Sequence, residues 1–379
     1  MKTAIFLGAG ASREEGIPVQ NELFKIYFQT MLNTASSNSK LSRSLDLSLE
    51  NFFKRTFNID VNNKNLEDDD YPTFEEVIGI LDIAEKRKEN LKIIDPKSLK
   101  DFVDHSGLSV YMENSYIKDA VLNGVENKLI KLYLIILIAK VLQERLPYSK
   151  GFHSRLISHL HNENLLRETI FITTNYDILI DSAICSILPS ININYGVDFI
   201  NYGIESGWSR PDDNSIKIYK LHGSLNWLYC PDCNNLKLTK KECGLIHLVT
   251  DFSKAICSEC GSIMLPVIVP PTYFKDMTNV FISTIWNKAE NVLRDVKHFI
   301  FCGYSFCDSD IHIKYLLKRI QLNSKNKLLF TVLNNHPGKK EQSAYEEEKR
   351  YKRFLGSDVN YTNYSFSDFV REPMKFYLG

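Results

Sequence analysis

The sequence predicts an α/β protein: a doubly wound, mostly parallel, Rossmann-like sheet interrupted by a large helical insertion and by a small cysteine-bearing one. Three observations carry this expectation. A short apolar segment at 3–7 runs directly into Gly8-Ala9-Gly10-Ala11-Ser12, the strand-to-glycine-turn opening of a doubly wound unit. From residue 169 onward, strand-like runs alternate with helical periodicity. Two Cys-x-x-Cys pairs, 23 residues apart, then break that alternation.

The elements follow in order. After the first strand, a helical pattern begins near Gln20. Residues 33–70 are rich in Asn, Ser, Lys and Asp, with Ser36-Ser37-Asn38-Ser39 and Glu67-Asp68-Asp69-Asp70, and read as an exposed stretch with one short helix. Over 73–88 the spacing of Phe74, Val77, Ile78, Leu81 and Ala84 is helical, and Thr73 with Glu76 forms a capping-box signature. Residues 114–146 read as one or two long helices whose apolar face carries Ile117, Val121, Val125, Leu129, Leu132, Ile136 and Leu142; another helix covers 151–163. Strands are expected at 169–173, 216–221, 267–269, 297–302 and 327–333, separated by helices at 177–188, 279–294 and 310–322. Residues 336–379 are expected to pack as helix and strand. The domain division is therefore 1–19 with 166–379 for the sheet, 20–165 for the helical insertion and 229–262 for the cysteine-bearing one.

Composition narrows the function classes. With 44% apolar and 24% charged residues, the chain of 379 can build a large core. Lys plus Arg equals Asp plus Glu at 46 each, so there is no global field to draw nucleic acid. The lysines of the cysteine insertion, Lys237, Lys240, Lys241 and Lys254, read as a solvated face, and direct nucleic-acid binding is not expected. Residues 1–7 are too short an apolar run for an export signal, and the longest such run, 132–139, cannot cross a bilayer. The expectation is a cytoplasmic protein with reduced thiols and no membrane partner.

Six motifs fall at or just past strand ends, where α/β sheets bind ligands. Gly8-Ala9-Gly10-Ala11-Ser12, followed by Gly16-Ile17-Pro18, lets backbone approach a pyrophosphate; Arg13 stands where the ordinary dinucleotide fingerprint has a third glycine, and a tight strand-to-helix turn is the lesser alternative. Thr173-Thr174-Asn175-Tyr176-Asp177 places a carboxamide and a carboxylate two residues apart, suited to ribose hydroxyls or a water, or to capping a helix. Lys220-Leu221-His222-Gly223-Ser224 offers a base active near neutral pH beside a glycine. Cys230-Pro231-Asp232-Cys233 and Cys257-Ser258-Glu259-Cys260 are a strong zinc signal, and four thiolates would leave no open position, so the metal would be structural; Cys243 and His247 lie between the pairs as spare candidates and are not assigned. Phe301-Cys302-Gly303-Tyr304-Ser305, with Asp308 and Asp310, and Phe330-Thr331-Val332-Leu333-Asn334-Asn335 suit an adenosine.

Taken in order, these motifs resemble the sirtuin superfamily, in particular the sirtuin-like NAD-consuming domains of bacterial antiphage defence systems. The resemblance covers 3–12 and about 171–335. It implies that Gly8, Ala9, Gly10 and Ser12 cradle the NAD pyrophosphate and neighbouring ribose. Asn175 and Asp177 would hold the nicotinamide riboside end, and His222 would be the catalytic histidine. Gly303, Ser305 and Asn334 would face the adenosine half, with zinc on Cys230, Cys233, Cys257 and Cys260. Protein-deacylating sirtuins continue Gly-Ile-Pro with an acidic residue, an aromatic and an arginine; here Val19-Gln20-Asn21 follows, and Thr174 replaces the usual Gln. These departures weigh against acyl-lysine chemistry more than against NAD binding. The resemblance thus implies an NAD hydrolase, producing nicotinamide and ADP-ribose, held in check by homo-oligomerisation or by a companion such as a hexameric ATPase or an Argonaute-like protein. The alternatives are an NAD-dependent deacylase or ADP-ribosyltransferase, and a module that senses NAD or ADP-ribose.

Overall fold

The computed structural model describes residues 2–31, 40–87, 89, 91, 126–201, 208–239, 252–272, 275–324, 327–336 and 339–377. The chain divides into two compact units, one formed by 1–19, 145–224 and 277–379 and the other by 20–144 and 225–276.

The first unit is built on seven parallel strands in the order β10-β9-β8-β1-β2-β4-β3. They are β1 (Thr3–Leu7), β2 (Thr169–Thr173), β3 (Ile193–Asn194), β4 (Ile216–Lys220), β8 (His298–Cys302), β9 (Leu329–Leu333) and β10 (Asn360–Thr362). Every residue of β1, β2 and β8 is buried, the pattern of central strands covered on both faces by helices. The chain runs from β1 out to β3 on one side and from β8 out to β10 on the other, so the order reverses between β1 and β8. Ligands of open α/β sheets sit at such a switch point, at the carboxyl ends of the strands.

Register fixes what stands there. Leu333, Cys302, Leu7, Thr173 and Lys220 are successive partners, each the last residue of its strand. Four strand spacings of about 4.8 Å make this row about 19 Å wide. Asn334, Gly303, Gly8, Asn175 and His222 follow the row by one or two positions.

The second unit contains helices Lys40–Phe57 and Phe74–Lys86, most of helix Glu126–Arg145, and the sheet β6-β5-β7, made of β6 (Leu236–Leu238), β5 (Gly223–Tyr229) and β7 (Leu265–Ile268). Thr73 caps its helix as expected: its Oγ1 accepts from the Glu76 amide at 3.2 Å, and its own amide donates to Glu76 Oε2 at 2.7 Å. An aromatic cluster of Phe24, Phe28, Phe53, Tyr71 and Phe74 fills this core, with Phe24 and Phe74 stacked at 4.1 Å. Among the described residues, no helix is long and apolar enough to cross a membrane.

Three expectations need correction. Helical turns do begin at Gln20 and run on through Leu23–Ile26, but an earlier helix, Ala9–Glu14, starts immediately after Gly8; the small residues Ala9, Gly10, Ala11 and Ser12 carry no apolar period to announce it. The polar stretch 33–70 contains an 18-residue helix, Lys40–Phe57, that buries Leu45, Leu49, Phe52 and Phe53 on one face. The strand near 267–269 is β7, and it pairs in the small sheet rather than the parallel one. The helix expected over 114–146 is observed as Glu126–Arg145; Ile117, Val121 and Val125 lie outside the described residues, as do Ser36–Ser39, Lys240, Lys241, Cys243 and His247.

Candidate active site

The turns after β1 and β2 are joined by a closed hydrogen-bond network. Thr173 Oγ1 donates to the Leu7 carbonyl at 2.8 Å and accepts from the Asn175 amide at 2.9 Å, fixing the backbone that carries Asn175. The Asn175 side-chain Nδ2 donates to the Gly8 carbonyl and to Ser12 Oγ, both at 2.9 Å. Ser12 Oγ in turn donates to Asp177 Oδ2 at 2.7 Å. Both amide hydrogens of Asn175 are therefore engaged, and its carbonyl oxygen Oδ1 is the group left to meet a ligand.

Asp177 is buried and braced. Its Oδ2 holds Ser12 and its Oδ1 accepts the Leu179 amide at 3.0 Å, an Asx contact that starts helix Leu179–Ile187. Lys220 is wholly buried and donates to the Asp177 carbonyl at 2.5 Å and to Asp181 Oδ2 at 3.0 Å. Tyr195 OH closes this group on Asp181 Oδ1 at 2.6 Å. Burial, reinforced by the Asp181 carboxylate, pushes the Tyr195 phenol well above its ordinary pKa, so it remains a donor.

His222 lies two residues past Lys220, as Asn175 lies two residues past its register partner Thr173. It is buried. The residue before it is held twice: the Leu221 amide donates to the Thr173 carbonyl at 2.9 Å, and Trp286 Nε1 donates to the Leu221 carbonyl at 2.7 Å. Gly223 follows with φ +81°, a left-handed conformation natural to glycine.

At the switch point the turns after β1 and β8 touch backbone to backbone. Gly8 N donates to Cys302 O at 2.9 Å, Gly10 N to Gly303 O at 2.8 Å and Ala11 N to Gly8 O at 3.0 Å. A Cβ on Gly303 would stand 2.0 Å from Ala11 N, and one on Gly8 2.5 Å from Gly303 O. This close approach requires the glycines whatever ligand is bound. Ala9 is exposed at the turn, and Ser305 is exposed beyond β8. Asn334 is buried; its Nδ2 donates to Glu347 Oε1 at 2.7 Å, where Tyr361 OH also donates at 2.9 Å and Lys339 pairs with Oε2 at 3.1 Å.

The four cysteines converge in the second unit. Sγ–Sγ distances are 3.3 Å for Cys230–Cys260, 3.6 Å for Cys233–Cys257 and 3.8 Å for Cys233–Cys260, and all four sulfurs lie within 4.8 Å of one another. A tetrahedral zinc with bonds of about 2.3 Å needs sulfurs about 3.8 Å apart, so the donor set fits that ion. The left-handed Asn234 and Gly261 (φ +53° and +74°) turn the chain after each knuckle.

The structure thus brings Gly8, Gly10, Ser12, Asn175, Asp177, His222, Gly303 and Asn334 to one row of strand ends, and the cysteines to a separate cluster. Sequence reasoning missed Lys220, Asp181, Tyr195, Trp286 and Glu347. The only signal for them was a lysine closing an otherwise apolar strand. It also missed Glu14 and Glu15. Glu14 accepts the amides of Phe366 and Ser367, both at 2.9 Å, and Glu15 holds the amide and Nδ1 of His153 at 2.6 and 2.9 Å. Burial pulls the Glu15 pKa up, but the His153 bonds outweigh it and leave the carboxyl below its usual range.

Among curated proteins, none matches. Among solved structures, the chain is similar to Sir2 bound to the inhibitor EX-527, 2′-O-acetyl-ADP-ribose and deacetylated p53 peptide (14% identity, 99% of this chain and 93% of that one, TM-score 0.40). It is also similar to Sir2 with p53 peptide and NAD+ (15%, 99% and 92%, 0.40) and to a structure on the basis of sirtuin substrate affinity (14%, 99% and 93%, 0.43). Residues 169–354, from β2 to the helix that supplies Glu347, match the family model of the SIR2-like domain.

Proposed function

We propose that the protein is an NAD glycohydrolase that cleaves NAD to nicotinamide and ADP-ribose, with its site on the strand-end row. One observation carries the reading. Asn175 and His222 follow a register-paired couple, Thr173 and Lys220, on adjacent strands, and Asn175 is held so that its Oδ1 remains for a ligand. The SIR2-like match over 169–354 spans both residues.

In the reaction the C1′–N bond of the nicotinamide riboside breaks, and its electron pair stays on the ring nitrogen. Nicotinamide, a cationic pyridinium in NAD, leaves neutral, so no general acid is needed. Asn175 Oδ1 accepts a hydrogen bond from a ribose hydroxyl or from the attacking water, and thereby places it. Water adds to C1′ of the oxocarbenium-like centre and gives up a proton, with His222 as base toward that water or a ribose hydroxyl. General-base catalysis is worth about 10²–10⁴-fold. The turns carrying Gly8, Ala9, Gly10, Ser12, Gly303 and Ser305 line the pyrophosphate and adenosine side. Zinc on the four cysteines would be structural. NAD depletion in antiphage defence, restrained by an oligomer or a companion protein, completes the reading.

The test is nicotinamide release from NAD by purified protein without any acylated peptide, followed by chromatography. Wild type should release nicotinamide, and Asn175→Ala and His222→Ala should lose at least 10²-fold of that rate with their thermal midpoints retained. Full activity in folded His222→Ala would refute the assignment, and release only with an acylated peptide would make the protein a deacylase.

A further inference from the structure

We propose that Lys220 is a positioning residue for the Asn175–Asp177 turn, acting through the backbone carbonyl of Asp177 rather than as half of a core ion pair. The proposal rests on the reading of that turn as part of the catalytic site.

Lys220 has no exposed surface, and its partner Asp181 is 5% exposed. Burying two charges is costly, and apolar residues of similar volume generally serve a core as well or better. A buried ammonium at this point therefore calls for something that a carbon chain cannot supply. The contact that meets this description is the shorter of its two, 2.5 Å to the Asp177 carbonyl against 3.0 Å to the Asp181 carboxylate. Asp181, itself held by Tyr195 OH, supplies the countercharge from the other side.

The placement gives the contact its consequence. Lys220 ends β4, in register with Thr173, and His222 is the second residue after it. The carbonyl it holds belongs to the residue whose carboxylate fixes Ser12, and Ser12 receives the Asn175 amide. One side chain thus ties the turn after β2 to the strand that delivers His222. The turn is pinned from three sides: by Ser12 of the helix after β1, by Lys220 from β4 and by the Leu179 amide of its own helix. Misplacement of a catalytic group by about 1 Å can cost about 10²-fold in rate.

The experiment separates positioning from packing. Lys220→Met alone leaves Asp181 unpaired and can fail to fold. The triple variant Lys220→Met/Asp181→Leu/Tyr195→Phe removes the whole polar group, and Asp181→Asn keeps the ammonium on the carbonyl while removing the countercharge. Nicotinamide release gives kcat and KM, thermal midpoints report folding, and hydrogen exchange by mass spectrometry is read over 173–181 and over 298–305. The expected result is a triple variant near the wild-type midpoint with kcat reduced about 10²-fold and KM within about threefold. Its exchange should rise about tenfold over 173–181 alone, by loss of one backbone anchor worth a little over 1 kcal/mol. Asp181→Asn should keep kcat within about threefold whatever its midpoint. Wild-type kcat and exchange in the folded triple variant, or equal loss of kcat in Asp181→Asn, would overturn the proposal. Should the triple variant not fold, the kcat of Asp181→Asn decides. If wild type releases no nicotinamide, the hydrolase reading fails by itself, and the exchange over 173–181 still decides whether Lys220 holds the turn.

Discussion

Replacing Gly303 by alanine tests the contact on which the strand-end row depends. Gly303 has φ +62°, which costs an L-residue about 1–2 kcal/mol. The added Cβ would also stand 2.0 Å from Ala11 N and 2.5 Å from Gly10 C, both backbone atoms, where ordinary contact begins at 3.4 Å. No side chain can rotate away, so the two turns must separate. Separation breaks the Gly10 N to Gly303 O bond of 2.8 Å, a loss of about 1 kcal/mol, and overpacking adds about 1–3 kcal/mol. The sum, about 3–6 kcal/mol, lowers the thermal midpoint by about 6–24 °C for a unit of this size. Gly151→Ala is the control. Gly151 has φ +76° but nothing within 4 Å of its added Cβ, so it carries the backbone penalty alone, about 1–2 kcal/mol. The assay is thermal unfolding of both variants by circular dichroism. If Gly303→Ala loses no more than Gly151→Ala, the turns after β1 and β8 are not in contact, and the account of the glycines is wrong.

Two further outcomes are expected. Elemental analysis should find one zinc per chain, and Cys257→Ser should abolish it with a fall in stability; zinc retained at full stoichiometry would refute the four-cysteine site. His298, buried at the start of β8, has its pKa lowered by burial to about 4, against 6.5 for the free side chain. The unfolded chain therefore binds the extra proton between those values. Stability is intact above pH 6.5 and falls toward pH 4, by about 3 kcal/mol from this residue. Denaturant titrations from pH 7 to 4 should show His298→Gln losing about that much less than wild type; an identical acid slope would refute it.

Much of this was legible in the residues, and the failures have physical causes. β1, β2, β8 and β9 are continuous apolar runs because a central parallel strand is buried on both faces. β3 escaped and β10 was expected only as an unplaced strand of 336–379, because both are short edge strands, Ile193–Asn194 and Asn360–Thr362, without any such run. Helix Lys40–Phe57 hid in a polar composition, its buried positions spread at Leu45, Leu49, Phe52 and Phe53. β7 was legible as a strand, but its sheet was not, since partner choice is tertiary. The motif residues stood out because Gly, Asn, His and Cys are unusual just past apolar strands. Lys220 did not, since one lysine at a strand end is ordinary until its burial is known.

The carboxylates around the row bear on what kind of bond the site can break. Cleavage of an alcohol leaving group from a sugar calls for two carboxyl groups, one of them protonated. Here each nearby acid is a brace: Glu14 caps the helix Phe366–Arg371, Glu15 holds His153, Asp177 holds Ser12, and Asp181 faces Lys220. Beyond β8 and β9, Asp308 pairs with Lys314, Asp310 accepts from Tyr304 OH, and Glu347 receives Asn334, Tyr361 and Lys339. A carboxyl tied into such contacts is a good anchor for neighbours that must not move, and dipoles held in advance stabilise developing charge without reorganisation. On the proposed reading these anchors hold the turns that carry Asn175 and His222 against the ribose and the water, and nicotinamide leaves without taking a proton.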